Sequence, residues 1–374
     1  MVNRIFSLTI KEFIHLRRDW WLPLFMIVGG VSELLLIGWA TSRPITNLPM
    51  LVWDQDVSAA SRTAVTLLEN TGTFQLIGMA ENMDAIQTSM DRGQINAAVI
   101  IPAGFQREMS TPTGRPTLMV ILNGAESIPA SAALRAVEGA VSRLGEQVTI
   151  QRLGVDESEF AGFTPRLRVW FNENLSEALY TIPAELGLML EFIVLLFAAL
   201  SLTRERELGT LEQLLVMPFS SLEIIMGKAL PVILIGLVTF NFMLGMVYFA
   251  FAVPVRGSLL LLELLALGYL VVELSKGMVI SILSRTQHQA FLLVLMVGMV
   301  DFMFTGYAAP VESMPQVVQW LANLVPAHHW LNILRGILVK GAGLDALWPS
   351  VLALFGLGVV IVGYSLGFVR RALN

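Results

Sequence analysis

Runs of about twenty apolar residues recur along this chain, and no other feature restricts its fold so severely. A bilayer core about 30 Å thick takes roughly 20 apolar residues per helix. Windows of that kind lie at Leu22–Ala40, Thr181–Leu202, Ala229–Ala252, Ser258–Leu283, Gln289–Phe304 and Leu347–Phe368. Of the 374 residues, 55% are hydrophobic and 14% charged, where soluble chains carry about 25% charged residues. Mean hydropathy is +0.69. The sequence therefore predicts a multi-pass α-helical membrane protein with six transmembrane helices. A net charge of −5 gives no footprint for nucleic acid. Without cysteine there are no disulfides, thiolate metal sites or cysteine nucleophile, and four scattered histidines offer little to a metal centre.

Lysine and arginine close to the spans set the orientation. Arg4, Lys11, Arg17 and Arg18 precede the first span, Arg204, Arg206 and Lys228 separate the second from the third, Arg285 follows the fourth, and Arg370 and Arg371 follow the sixth. The opposite side holds Arg256, Arg335 and Lys340. Both termini are thus expected in the cytoplasm, with 369–374 as a short tail. Residues 1–21 mix Phe6, Ile10, Phe13 and Ile14 with basic residues and end in paired tryptophans. That pattern suits a helix lying in the inner interface, although an ordinary positive-inside anchor accounts for the charges equally well. The long charged lead, and Glu33 inside the first apolar run, indicate an uncleaved anchor rather than a signal peptide.

Residues 41–180 change character, and from 45 to 177 there is neither lysine nor histidine. Short runs such as "NLPMLVWD", "FQLIGMA", "NAAVIIP" and "PTLMVILNG" read as strands. They alternate with helical stretches at 58–72, 82–94 and 127–152. The pattern predicts a small α/β domain on the far side of the membrane, inserted between the first and second spans. Its carboxylates are scattered, which favours a scaffold or docking role over catalysis, with a small-ligand cleft as the other reading.

Between the second and third spans, residues 203–228 include "RERELGTLEQLLVMP", 204–218. Leu208, Leu211, Leu214 and Leu215 fall at helical spacing, with Glu207, Glu212 and Gln213 on other faces. Pro218 biases Met217 away from helix. Ser220 with Glu223 then forms a capping-box pattern opening the next helix. A helix this short is marginal alone, so its leucines need something to rest on.

The stretch "RERELGTLEQLLVMPFSSLEIIMGK" resembles the segment between the second and third spans of ABC-2 type export permeases. "GYAAPVESMPQVVQWLANLVPAHHWLNILRGILVKG", 306–341, is similar to that family's loop between the fifth and sixth spans. The order of spans and external domain fits as well. The resemblance implies a coupling helix made of Arg204, Glu205, Arg206, Glu207, Leu208, Gly209, Thr210, Leu211, Glu212, Gln213, Leu214 and Leu215, docked on a separate cytoplasmic ABC ATPase subunit. It implies pairing with a second copy or a similar permease in a bacterial inner membrane. A periplasmic adaptor and an outer-membrane channel would be further partners, and drugs, lipids or other amphiphiles the cargo. The chain lacks a G-x-x-x-x-G-K-[ST] phosphate loop, so ATP and Mg would be held by the partner ATPase, with no cofactor here. Residues 305–346 would form a broken helical hairpin dipping in from outside and packing over the outer end of the pathway as a plug or gate, while Trp320, Trp330, His328 and His329 read equally well as interface anchors.

Ionisable residues inside spans cost about 2.5–3.5 kcal/mol each on insertion scales. Glu273 and Lys276, at i,i+3, are expected to pair, and Glu185 and Glu263 to reach water near the outer ends. Glu33, Glu191 and Asp301 remain as deeply placed acids. They either line a pathway for cationic amphiphiles or are paired or protonated within the bundle. Two rival functions stay open: a proton-coupled secondary transporter using those acids as a relay, and a membrane receptor or assembly scaffold working through its external domain.

Overall fold

The apolar runs fold as long helices because a chain in lipid must satisfy its backbone internally. The structure, a computed structural model, describes residues 2–153, 170–173 and 176–373. It divides into two compact units, 1–43 with 168–374 and 44–167. The first unit holds α1 (Val2–Arg18), α2 (Trp21–Ser42), α7 (Ala178–Glu207), α9 (Ser221–Phe251), α10 (Leu259–Leu283), α11 (Gln287–Phe304) and α14 (Leu344–Leu373). Five helices are long and apolar enough to cross a membrane: Leu24–Ser42, Ala178–Glu207, Ser221–Phe251, Gln287–Phe304 and Leu344–Ala372. Outside those five, α10 has similar length but carries Glu263, Glu273 and Lys276.

α7 is the central helix. It packs most extensively on α10 and also meets α2, α9 and α11. Small residues allow the closest approach: a Cβ on Gly277 of α10 would lie 2.5 Å from Ala198 Cβ and 2.6 Å from the Leu195 carbonyl oxygen of α7. At one end the two helices are tied by polar groups. The Ser281 hydroxyl accepts the Leu202 and Thr203 amides, each at 3.0 Å, and Thr203 Oγ1 donates to the Ser281 carbonyl at 3.0 Å. Arg206 donates to the carbonyls of Ile282 and Ser284.

Residues 305–346 are helical in broken pieces, as proline punctuation predicts. A 3₁₀ turn (Val311–Ser313) leads into α12 (Gln316–Ala322) and α13 (Pro326–Arg335), which runs into a π-helical turn, Gly336–Lys340. The anchor reading of the aromatic and histidine residues is corrected for three of the four. Trp330 is wholly buried and stacks on Tyr269 with centroids 4.9 Å apart. His328 and His329 are buried, each with a ring nitrogen on a backbone carbonyl, of Thr305 and Asn323. Trp320 alone is exposed. α13 packs against α7 and α14.

The second unit is α/β. β1 (Leu48–Asp54), β2 (Phe74–Met79), β3 (Ala97–Ile101) and β4 (Met119–Leu122) form a sheet of order β2-β1-β3-β4, parallel except for β4. α3 (Ala59–Glu69), α5 (Phe105–Ser110) and α6 (Ser127–Leu153) cover one face around Met50, Val52, Val99 and Ile101. α4 (Met83–Asp91) packs Ile86 and Met90 on the other. Sequence periodicity missed α5, a helix too short to show a repeat. The part of the expected domain at 154–169 lies outside the described residues.

In open α/β sheets ligands bind at the carboxyl ends of strands. Here Asp56, just after β1, accepts the Gly104 amide at 2.7 Å and the Gln106 amide at 2.9 Å, both after β3. The loops at that edge are thereby closed on each other. Hydrogen bonding from Ser58, then from the Gln106 amide, holds the Asp56 carboxyl below its ordinary value. Its contribution is therefore present above the unfolded carboxylate range and lost as pH falls through the lower, folded value. Asp56→Asn is expected to lower the melting temperature at neutral pH and to weaken its decline under acid; an unchanged acid profile would show that Asp56 is not the titrating group.

Candidate functional site: a polar joint and a membrane ion cluster

The segment between α7 and α9 is built differently from the single helix expected over Arg204–Leu215. α7 ends at Glu207 because Gly209 adopts a left-handed φ of +71°, the usual place for a glycine just past a helix end. The Gly209 and Thr210 amides turn back to the Arg206 and Glu205 carbonyls. A separate helix, α8 (Leu211–Val216), follows, and Met217 is extended before Pro218. Ser220 and Glu223 then form the capping box that opens α9, as the sequence indicates.

The leucines divide accordingly. Leu214 is buried in the core of its own chain, and Leu211 packs against that core. Leu208 falls in the break and is 63% exposed, as are Val216 (87%) and Met217 (50%). Glu212 and Gln213 are exposed beside them. The side chain of Leu215 lies outside the described residues. The outward surface of this segment is thus Leu208, Glu212, Gln213, Val216 and Met217.

Behind that surface is a polar joint that the sequence did not reveal. Glu205, nearly buried, accepts Lys11 Nζ at 2.7 Å and Lys228 Nζ at 3.4 Å on Oε1, and the Thr210 hydroxyl on Oε2. Lys228, also buried, binds Glu12 at 2.7 Å and the Ser201 carbonyl at 2.8 Å. Arg204 pairs with Asp19, and Arg4 donates to the Pro218 carbonyl at 2.6 Å. So one face of α1 is locked to α7, to α9 and to the Pro218 turn before α9, with Leu8 set against Gly227. Phe6, Ile10, Phe13 and Ile14 are exposed on the opposite side of α1. Glu12, His15 and Glu205 lie close enough to share an ion, but two lysines already occupy their carboxylates. Burial lowers the His15 imidazole pKa from its ordinary value.

A second cluster lies deeper. Lys276 Nζ sits 2.6 Å from Asp301, 2.7 Å from Glu273 and 3.4 Å from Glu191, joining α10 to α11 and α7. Tyr269 donates its hydroxyl to Glu191 at 3.1 Å. The expected Glu273–Lys276 pair is present, and it gathers Glu191 and Asp301 as well. Glu33 does not join them: it is exposed on α2 and interacts with Glu185. Glu185 is buried, not water-facing, and Glu263 is half-buried beside Asn241 at 3.3 Å. These positions were misread because hydropathy gives depth along a helix but not which side faces the bundle.

The sequence also missed a node at the other end of α7. The Gly306 carbonyl accepts the Tyr180 hydroxyl at 2.7 Å and two Arg335 nitrogens at 3.2 Å, while the Arg335 guanidinium stacks 3.8 Å from the Tyr180 ring centroid.

A bundle of long apolar helices around a buried ion cluster is the architecture of a multi-pass membrane protein. The family model of ABC-2 family transporter proteins matches residues 20–366, and the chain belongs to that family. The "Probable multidrug ABC transporter permease YbhR" of Escherichia coli K12 is 28% identical over 94% of each chain. "Inner membrane transport permease YhhJ" of the same organism is 29% identical over 100% of this chain and 98% of its own. In Dictyostelium discoideum, "ABC transporter G family member 20" is 24% identical over 89% of this chain and 46% of that protein. The chain is accordingly a multi-pass membrane permease of the ABC-2 transporter family.

Proposed function

We propose that the chain is the membrane half of an ATP-driven exporter of amphiphilic substrates, driven by a separate ATPase docked at the α7–α8–α9 joint. The observation that carries this reading is the outward surface of Leu208, Glu212, Gln213, Val216 and Met217, rigidly backed by the Glu205–Lys228–Lys11 network. An exposed apolar stripe rimmed by polar groups suits a groove on a partner. In this reading α10 is the sixth span, and the distribution of basic residues puts both termini in the cytoplasm and the α/β unit in the periplasm. The permease pairs with a second copy or a similar chain. ATP and Mg belong to the ATPase, while an adaptor and an outer-membrane channel receive the cargo beyond. The relatives named as multidrug permeases support a drug-like substrate.

Leu208→Asp with Val216→Asp is expected to abolish co-purification of the ATPase while leaving the permease folded, since both side chains are exposed. Full retention of the ATPase by that double variant would overturn the docking assignment. Leu211 and Leu214 are unsuitable for this test because their loss disturbs the permease core.

A further inference from the structure

We propose that the Glu191–Glu273 pair is a proton-binding site that keeps the intramembrane cluster at low net charge. Three carboxylates surround one ammonium here. Fully ionised, the group would hold a net charge of −2 inside the bundle, and an unpaired buried charge takes up or loses a proton rather than remain so. Asp301 is the acid nearest the ammonium, at 2.6 Å, and its side chain is 10% exposed. Glu191 and Glu273 are fully buried. Glu273 Oε2 is 2.7 Å from Lys276 Nζ yet lacks hydrogen-bond geometry, and Glu273 Oε1 has no hydrogen-bond partner among the described residues. A buried carboxylate oxygen that accepts no hydrogen bond is where a proton would sit.

The three acids also have the spacing of a metal site. Lys276 Nζ already stands among them, however, so the cation that fits without displacing it is a proton. Binding forms one O–H bond on a carboxylate and consumes one proton, which in solution comes from hydronium.

The titratable groups facing the pair are Tyr269 and Lys276 from α10 and Asp301 from α11. From α13 comes uncharged Trp330, stacked on Tyr269. α14 contributes Ser365, bound to the Ser275 carbonyl. α9 packs on both helices through apolar residues such as Phe240 beside Trp330, and Glu33 of α2 faces Glu185 instead. This proposal stands apart from ATPase docking, and neither depends on the other.

The test uses full-length permease in lipid nanodiscs, carrying Glu185→Gln to silence the other fully buried acid. Infrared spectra at neutral pH should show a protonated-carboxyl C=O band that shifts in D2O and disappears in alkali. Glu273→Gln or Glu191→Gln should remove it. Because the folded state would hold a proton that the unfolded chain releases above the ordinary carboxylate range, the parent protein should lose up to about tenfold in its folding equilibrium per pH unit from that range up to the pH at which the band disappears, and no more beyond it. Glu273→Gln should flatten that slope. A missing band, or a band unchanged in both Gln variants, would overturn the proposal. If neither variant folds, the alkali sensitivity of the parent band decides alone.

Discussion

Lys276→Met is expected to remove most of the folded permease from the membrane fraction. Lys276 is the single cation among Glu191, Glu273 and Asp301, at 2.6 to 3.4 Å. Removing one partner of a buried ion pair costs about 3–5 kcal/mol, because the remaining charge is left uncompensated. Whole domains are stable by only about 5–15 kcal/mol. The loss therefore falls on folding, before any transport step can be assayed. Adding Asp301→Asn to Lys276→Met removes one of the stranded acids and should restore part of the yield. A melting temperature for Lys276→Met equal to that of the wild type would show that the cluster does not hold the bundle together.

Gly277→Ala is expected to produce the second large effect, by a steric route. The added methyl group would meet both Ala198 Cβ and the Leu195 carbonyl of α7. A side-chain end can swing aside, but the backbone of a helix buried on nearly every side cannot. Overpacking of this kind costs about 1–3 kcal/mol. Ala198→Gly relieves the first contact and leaves the second, so the double variant should recover only partly. Gly363→Ala on α14, where nothing lies within 4 Å, supplies the control and should melt as the parent does. Equal melting of the two alanine variants would mean that α7 and α10 do not need their close approach.

What the sequence revealed, and what it hid, follow from the range of the interactions concerned. Helices, strands, the Ser220–Glu223 cap and the Glu273–Lys276 pair depend on neighbours within a few residues, so periodicity and spacing reveal them. The break at Gly209 was also local, and its signal was present: glycine after an apolar helix end is a stop sequence. It was passed over because the leucine spacing continued on both sides. Lys276 meeting Glu191 and Asp301 depends on which helices touch, and no spacing along the chain encodes that. The same is true of Trp330 beneath Tyr269, and of Lys11 and Glu12 reaching Glu205 and Lys228. The family resemblance points to the segment between α7 and α9, but it offers no means of separating the leucines that turn inward from those that turn out.

The ties between α7 and α10 have a mechanical consequence. Two rods pinned together by Thr203 and Ser281 near one end, by Gly277 against Ala198, and by Lys276 against Glu191 resist bending far better than either alone. A load applied beyond Arg206 would be shared between them and would tilt the pair as one beam. The strain would then concentrate where the beam meets its more loosely joined neighbours, so the softest boundaries of the bundle, not the helix that receives the load, would set the amplitude of the stroke.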